Sequence, residues 1–186
     1  MELSASQADP ETHNVGAARG TLPPRPVAVL FVDSSALAKA YLEEEGDGNV
    51  RGLLRRAGGD LFLSEFVALE VLTSIRNAHR GLPREEYIAT VDQFWADYQS
   101  CFGIVVVDRE VVTDAITLTA KHWRARARSM DVLHLATALR LQFSRRADEV
   151  TMVTSDQDLA ALSRECGLRT FDPSREPLAA LPAKRR

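Results

Sequence analysis

Cysteine is scarce in this sequence, because only Cys101 and Cys166 occur among its 186 residues. The two thiols show neither the paired spacing of a zinc site nor the number needed for a disulfide framework. A small secreted protein held together by disulfides is therefore excluded, and so is a metal protein that relies on cysteine ligands. A reducing, cytoplasmic location is the expected one.

Long apolar runs and an excess of positive charge are also missing. No stretch approaches the roughly 18 consecutive apolar residues of a membrane span, so no membrane association is expected. Residues 1–26 lack the apolar core of a signal peptide. The net charge of −3 argues against binding to nucleic acid by charge alone, although a local basic patch remains compatible with it.

What remains has the composition of one soluble globular domain, with 45% hydrophobic and 26% charged residues. Residues 1–26 are rich in small residues and proline, which predicts a flexible leader. Residues 177–186 predict a polar tail. The folded domain is expected to cover residues 27–176.

Strand-like and helix-like segments alternate along this domain. Short apolar runs predict strands at 27–32, 60–64, 103–108, 149–156 and, as an edge strand, 168–173. Helical spacing and caps predict helices from about residue 36, with Ser34 or Ser35 as its cap, and at 49–56, 65–81, 83–98, 109–123, 129–143 and 157–167. The expected fold is a three-layer α/β/α sandwich around a mainly parallel sheet of about four to five strands. In such sheets, functional crevices lie beyond the carboxyl ends of the strands.

Four acids are expected at that edge of the sheet: Asp33, Glu70, Asp131 and Asp156. Asp33 and Asp156 directly follow predicted strands, while Glu70 and Asp131 stand near the starts of largely apolar helices. Carboxylates gathered at one place repel one another, which raises their pKa values or requires a cation. Mg²⁺, or alternatively Mn²⁺, prefers oxygen ligands of this kind.

Several neighbouring polar residues have a simpler interpretation. Asp108 is expected to cap its helix, and Asp158 either caps, is solvated or supports the acids. His134 follows Asp131 by one turn on an apolar helix, and a hydrogen-bonded core histidine is favoured over a direct role. His122 lies in a basic segment and is expected to be exposed.

Four segments that contain these acids resemble the four acidic motifs of PIN-domain ribonucleases. They are "VDSSALAKAYLEEE", "SEFVALEVLTSIRNA", "SMDVLHLATAL" and "VTSDQDL". The order and approximate spacing match over residues 28–173, and the closest similarity is to VapC-type toxins of toxin–antitoxin pairs. The leader of 26 residues is longer than is usual in that family.

The resemblance implies a metal-dependent endoribonuclease that hydrolyses RNA phosphodiester bonds, a small antitoxin partner and a homodimer. It also implies that Asp33, Glu70, Asp131 and Asp156 form the catalytic pocket, with Asp33, Asp131 and Asp156 as metal ligands. Ser35, Thr154 and Asp158 would support them. In the segment "KHWRARARS", Arg124, Arg126 and Arg128 either bind the RNA backbone, with Trp123 as a stacking surface, or form a solvated or partner-binding loop.

Two other functions remain open from the residues alone. A phosphatase could use Asp33 as its nucleophile, but such enzymes usually carry a second Asp two positions later, where this chain has Ser35. A non-catalytic PIN-like module that binds RNA or protein is the other alternative. Which RNA is cut, and which antitoxin binds, cannot be read from the sequence.

Overall fold

The computed structural model describes residues 28–56, 60–144 and 149–181. The predicted leader, the glycine pair at 58–59 and residues 182–186 lie outside these ranges. The strands are β1 (Ala28–Val32), β2 (Leu61–Ser64), β3 (Phe102–Val105), β4 (Glu149–Val153) and β5 (Arg169–Phe171). The α-helices are α1 (Ser34–Leu37), α2 (Asp47–Arg56), α3 (Glu65–Ala78), α4 (Arg84–Cys101), α5 (Arg109–Lys121), α6 (Ser129–Ser144) and α7 (Gln157–Glu165), with 3-10 turns at Ala38–Ala40 and Leu178–Ala180.

The five strands form one sheet in the order β3-β2-β1-β4-β5, and every neighbouring pair is parallel. The prediction of a mainly parallel α/β sheet is therefore confirmed. Along the chain, β1 to β3 extend the sheet in one direction, and β4 and β5 extend it in the other. The order reverses between β1 and β4, and a crevice opens at such a reversal beyond the strand ends.

Each face of the sheet is covered by its own helices. Val29 and Phe31 of β1 point into a core formed with α5, α6 and α7. Leu30 and Val32 alternate to the other face and pack among residues from α1, α2, α3 and α4. Because β1 is covered on both sides, its sequence is apolar throughout, as expected for a central parallel strand.

Several predicted boundaries differ from the structure, including the end of β4 at Val153 instead of residue 156 and the end of α3 at Ala78 instead of residue 81. Strand β3 ends at Val105 instead of residue 108, and beyond it the backbone N–H of Val107 donates to Glu65 Oε1 at 2.9 Å instead of to a neighbouring strand. Helix α4 continues to Cys101, beyond the predicted end at residue 98. The predicted polar tail from residue 177 still contributes to the core, since Leu178 packs against it and Leu181 is only 9% exposed.

None of the helices within the described ranges is both long and apolar enough to cross a membrane.

Gly46 provides a test of how the loop before α2 is held. Its φ is +91°, and a Cβ there would lie 2.7 Å from the carbonyl oxygen of Pro173. Gly81 has a similar φ of +88°, but a Cβ there would meet nothing within 4 Å. Gly81→Ala should lower the free energy of unfolding by about 1–2 kcal/mol from backbone strain alone.

Gly46→Ala should lower the free energy of unfolding by about 2–4 kcal/mol, because a backbone clash adds to the same strain. Urea denaturation of both variants measures the difference directly. Equal losses in the two variants would show that the contact with Pro173 does not constrain the loop.

Candidate active site

The two oxygens of Asp33 have different surroundings at the carboxyl end of β1. Oδ2 accepts hydrogen bonds from the Ser35 backbone N–H at 3.1 Å, the Ser35 hydroxyl at 2.6 Å and the Thr154 hydroxyl at 3.1 Å. Oδ1 is buried and has no hydrogen-bond partner among the residues that the structure describes. The residue is only 2% exposed. A buried carboxylate oxygen without a donor is costly, and a cation is the partner that would satisfy it.

The expectation that Ser34 or Ser35 caps the first helix is wrong. Asp33 itself is the cap of α1, which begins at Ser34. Ser35 instead directs its hydroxyl back to the carboxylate. One oxygen of Asp33 therefore caps a helix while the other remains available, so the two roles do not exclude each other.

Hydroxyl groups connect Asp33 to the loop that follows β4. The Thr154 hydroxyl, which donates to Asp33, also accepts from the backbone N–H of Asp156 at 3.1 Å. The Ser35 hydroxyl accepts from the backbone N–H of Ser155 at 3.1 Å. Because β1 and β4 are neighbours in the sheet, these bonds fix the two strand ends relative to each other.

Asp156 and Asp131 each use one oxygen to hold a backbone N–H group. Oδ1 of Asp156 accepts from Asp158 at 2.8 Å and from Leu159 at 2.9 Å, which caps α7. Oδ2 of Asp131 accepts from Arg128 at 2.7 Å, just before α6. The Asp158 side chain is exposed. The residue contacts the predicted cluster through its backbone N–H, which donates to Asp156.

Asp131 lies close enough to Asp33 and Asp156 for their negative charges to affect it. Burial raises the pKa of Asp131, and the negative charges of Asp33 and Asp156 raise it further, although the hydrogen bond from Arg128 acts in the opposite direction. The expected repulsion among clustered carboxylates is therefore present at Asp131.

Glu70 is hydrogen-bonded to a buried histidine. Its Oε2 accepts from His134 Nε2 at 2.6 Å, while Nδ1 of His134 lies 2.9 Å from the Ser64 hydroxyl. The same Nε2 is 3.9 Å from the unpartnered Oδ1 of Asp33. His134 is completely buried, whereas the Glu70 side chain remains 30% exposed. The histidine thus connects the end of β2 and helix α3 to the other acids.

The pKa values of this pair shift in opposite directions. Burial by itself would raise the pKa of Glu70, but the hydrogen bond and charge of His134, aided by the Ser34 hydroxyl, lower it overall. Burial by itself would lower the pKa of His134, but the hydrogen bond to Glu70 and the charges of Asp33, Glu70 and Asp131 raise it overall. The sequence favoured a hydrogen-bonded core histidine, but its two partners could not be identified from spacing.

The candidate ligand atoms are of the type that a hard divalent cation prefers. Asp33, Asp131 and Asp156 present carboxylate oxygens, and within the described ranges the buried Oδ1 of Asp33 has no hydrogen-bond partner. Across residues 28–56, 60–144 and 149–181, however, no three His, Cys, Asp or Glu side chains are arranged to enclose a metal ion together. An ion held by these carboxylates would therefore require small side-chain adjustments or water ligands.

Another buried carboxylate shows what a fully paired acid looks like at the same edge of the sheet. Asp172 follows β5 and is 8% exposed. It accepts from the Ser155 hydroxyl, the Ser174 backbone and the Gln157 amide, at 3.2, 3.0 and 2.9 Å. Unlike Asp33, it has a donor for each oxygen, so its role is to stabilise the loop.

The basic segment before α6 is exposed at Arg124, Arg126 and Arg128. Trp123 is 73% exposed, and the Arg124 guanidinium lies 4.5 Å from the centroid of its ring.

The expectation that His122 is exposed is wrong. Its side chain is only 7% exposed, and Nδ1 donates to Glu165 Oε1 on α7 at 2.8 Å.

Asp108 caps α5 by accepting from the backbone N–H groups of Glu110 and Val111, each at 2.9 Å, as expected.

Replacing His134 tests its structural contribution. In His134→Leu, a side chain of similar volume fills the space, but the Ser64 hydroxyl loses a buried partner and Glu70 loses its donor. We expect the free energy of unfolding to fall by about 2–3 kcal/mol, limited by the access of Glu70 to water. Ser64→Ala removes only one of the two hydrogen bonds and should cost about 1 kcal/mol. Chemical denaturation of both variants measures this, and a His134→Leu protein as stable as the parent would contradict it.

Replacing Asp131 tests the repulsion among the acids. Asp131→Asn removes one negative charge but keeps an oxygen that can accept from Arg128. In EDTA at neutral pH, the free energy of unfolding should rise by up to about 1 kcal/mol, since the group is only half-buried and partly screened by water. Thermal melting measures the change. Asp108→Asn, an exposed cap outside the cluster, is the control and should stay within about 0.5 kcal/mol of the parent. A destabilised Asp131→Asn protein would argue against net repulsion.

Known structures with this fold include components of toxin–antitoxin systems. FitAcB from Neisseria gonorrhoeae is 15% identical, with a TM-score of 0.58 over 80% of this chain and 100% of that chain. VapC20 from Mycobacterium tuberculosis, described as a sarcin-ricin loop cleaving toxin, is 16% identical, with a TM-score of 0.55 over 75% of this chain and 95% of that chain. A toxin–antitoxin complex from Klebsiella pneumoniae is 16% identical, with a TM-score of 0.52 over 78% and 98% of the two chains. At these identities, the similarity establishes the fold alone.

No curated protein matches the sequence significantly. The family model of the PIN domain, in contrast, matches residues 30–165. That match extends over most of the chain and includes all four acids. Together with the parallel sheet and the cluster at its carboxyl edge, it shows that the chain belongs to the PIN domain family.

Proposed function

We propose that this protein is a metal-dependent endoribonuclease and the toxin of a toxin–antitoxin pair. PIN domains are generally nucleases. The observation that best supports catalysis here is the unpartnered, buried Oδ1 of Asp33, next to the mutually repelling Asp131 and Asp156. A purely structural acid would have its donors, as Asp172 does.

Asp33, Asp131 and Asp156 are the proposed ligands of Mg²⁺, with Mn²⁺ as the alternative ion. The bound ion would supply charge for the scissile phosphate and acidify a water molecule. Ser35 and Thr154 hold the Asp33 carboxylate in one orientation through Oδ2, which leaves Oδ1 for the ion. Glu70, held by His134 through Oε2 and 30% exposed, would orient a water molecule or reach the ion.

RNA is the proposed substrate because the exposed arginines of residues 124–128 adjoin Asp131. A small antitoxin is the proposed partner, and this is supported by the assemblies in which related folds occur. A carboxylate cluster of this kind could receive an arginine from such a partner. We further propose a cytoplasmic location and a homodimer, for which exposed apolar residues of α3 and α4 offer a surface: Phe66, Leu69, Ile88 and Trp95.

Cleavage of RNA by the purified protein tests the activity. The parent should cleave in Mg²⁺ and lose activity in EDTA. Asp33→Asn should reduce the rate at least about 100-fold, because the amide cannot supply an anionic oxygen to a cation. The variant should still fold, because the amide oxygen can accept from Ser35 and Thr154. The Asp108→Asn variant is the control and should retain parental activity.

An Asp33→Asn variant as active as the parent would overturn the site assignment. Absence of cleavage, together with no binding of Mg²⁺ or Mn²⁺ in isothermal titration, would favour the non-catalytic module instead. Growth arrest on expression of the parent, but not of the Asp33→Asn variant, is expected for a toxin.

A further inference from the structure

A cleft lies between the loop that follows α5 and the side of α7. It has a volume of about 410 Å³. Its lining includes Lys121, Trp123, Arg124 and Arg126 from the loop side. Asp158 and Glu165 of α7 form part of the opposite wall. None of the contacts assigned to the acidic site uses the side chains of this cleft.

The loop on one side of the cleft is attached to α7, so the two sides of the cleft are held relative to each other. His122 is buried and donates from Nδ1 to Glu165 Oε1 at 2.8 Å. Its Nε2 faces the Cys166 thiol, with the sulfur at 3.7 Å. Burial raises the pKa of that thiol, which keeps it protonated and able to donate to the ring. The buried histidine thus fixes the base of the loop, while the next residue, Trp123, projects into solvent.

The two sides of the cleft lead along the backbone to two acids of the proposed active site. On the loop side, the chain continues two residues beyond the last lining residue, Arg126, to Arg128, whose backbone N–H donates to Asp131. On the α7 side, the backbone N–H of Asp158 donates to Asp156. Asp156 and Asp131 are close enough for their charges to interact. The cleft therefore begins one hydrogen bond away from Asp156, through the lining residue Asp158.

The chemistry of the lining favours a nucleobase over a phosphate group. Three cationic side chains face two carboxylates, which leaves only a small excess of positive charge. The largest exposed group is the indole of Trp123, and Arg124 already lies against that ring, so that together they offer a stacking surface. Carboxylates repel phosphate but accept hydrogen bonds from the N–H groups of a base.

We propose that this cleft binds one unstacked base of a single-stranded RNA, beside the phosphate at the acidic site. Trp123 and Arg124 stack on the base, and Arg126 neutralises the adjacent backbone. This assignment rests on the proposed ribonuclease function and adds to it a subsite for one base. A duplex, whose bases are not available for stacking, is bound less well.

Binding of a fluorescein-labelled octaribonucleotide that contains all four bases tests the proposal. Asp33→Asn serves as the background, so that the RNA stays intact, and fluorescence anisotropy gives the Kd. Added Trp123→Ala should raise the Kd by on the order of tenfold, whereas Trp123→Phe, which keeps a π-face, should retain most of the affinity. Phe143→Ala removes an exposed aromatic ring outside the cleft lining and should have no effect.

Two further measurements separate stacking from charge. Arg126→Ala should reduce the slope of log Kd against log salt concentration by about 0.7, the value for one phosphate contact on a single strand. The same octamer annealed to its complement should bind more weakly, and Trp123→Ala should not change that binding. Equal effects of Trp123→Ala on the single strand and the duplex would overturn the base assignment.

Failure of this proposal can be distinguished from failure of the proposed function. If the parent cleaves RNA but Trp123→Ala leaves the Kd of the octamer unchanged, the cleft does not bind the base, and a protein partner becomes its better occupant. If the octamer binds with the expected dependence on Trp123 but the parent never cleaves, the cleft assignment stands and the nuclease function fails.

Discussion

The arrangement of this site depends on the burial of one carboxylate. Removing Asp33 from water is costly, and three donors to Oδ2 offset only part of that cost. Those donors come from α1 and from the residue after β4, so the two strands must be neighbours for the carboxylate to be stabilised. The remaining oxygen requires a positive partner. The topology of the sheet and the chemistry of the site are thus linked through the same side chain.

His134 shows why these acids can be close together only at the edge of the sheet. It belongs to α6, whose apolar residues pack with α5 and α7 on one face. Glu70 belongs to α3 on the opposite face. Side chains from the two layers can meet only beyond the ends of the strands, where no sheet separates them. Their 2.6 Å hydrogen bond therefore joins the two helical layers, and it also places a basic group among acids that would otherwise only repel one another.

The sequence alone is sufficient to predict features that depend on local residue pattern and on strand direction. Apolar runs alternating with helical periodicity led to a parallel sheet, and the direction of its strands brought Asp33 and Asp156 to one edge. Contacts made between distant segments were not accessible in this way. Spacing could not show that Glu70 and Ser64 would meet opposite nitrogens of His134, or that Glu165 would bury His122. The sequence indicates a single role for Asp33 because it identifies only the residue, whereas the structure distinguishes the two carboxylate oxygens.

The segment from Lys121 to Arg128 illustrates how backbone and side chains can perform separate tasks. The backbone N–H of Arg128 orients Asp131, so this contribution to the acidic site does not require a particular side chain. The side chains of Trp123, Arg124 and Arg126 are consequently exposed and free to change without disturbing the carboxylates. His122 is the exception, since its burial fixes the loop. In the proposed ribonuclease, substitutions at the exposed positions would alter which RNA is bound while the acidic centre stays the same, because the two functions share a backbone but not their side chains.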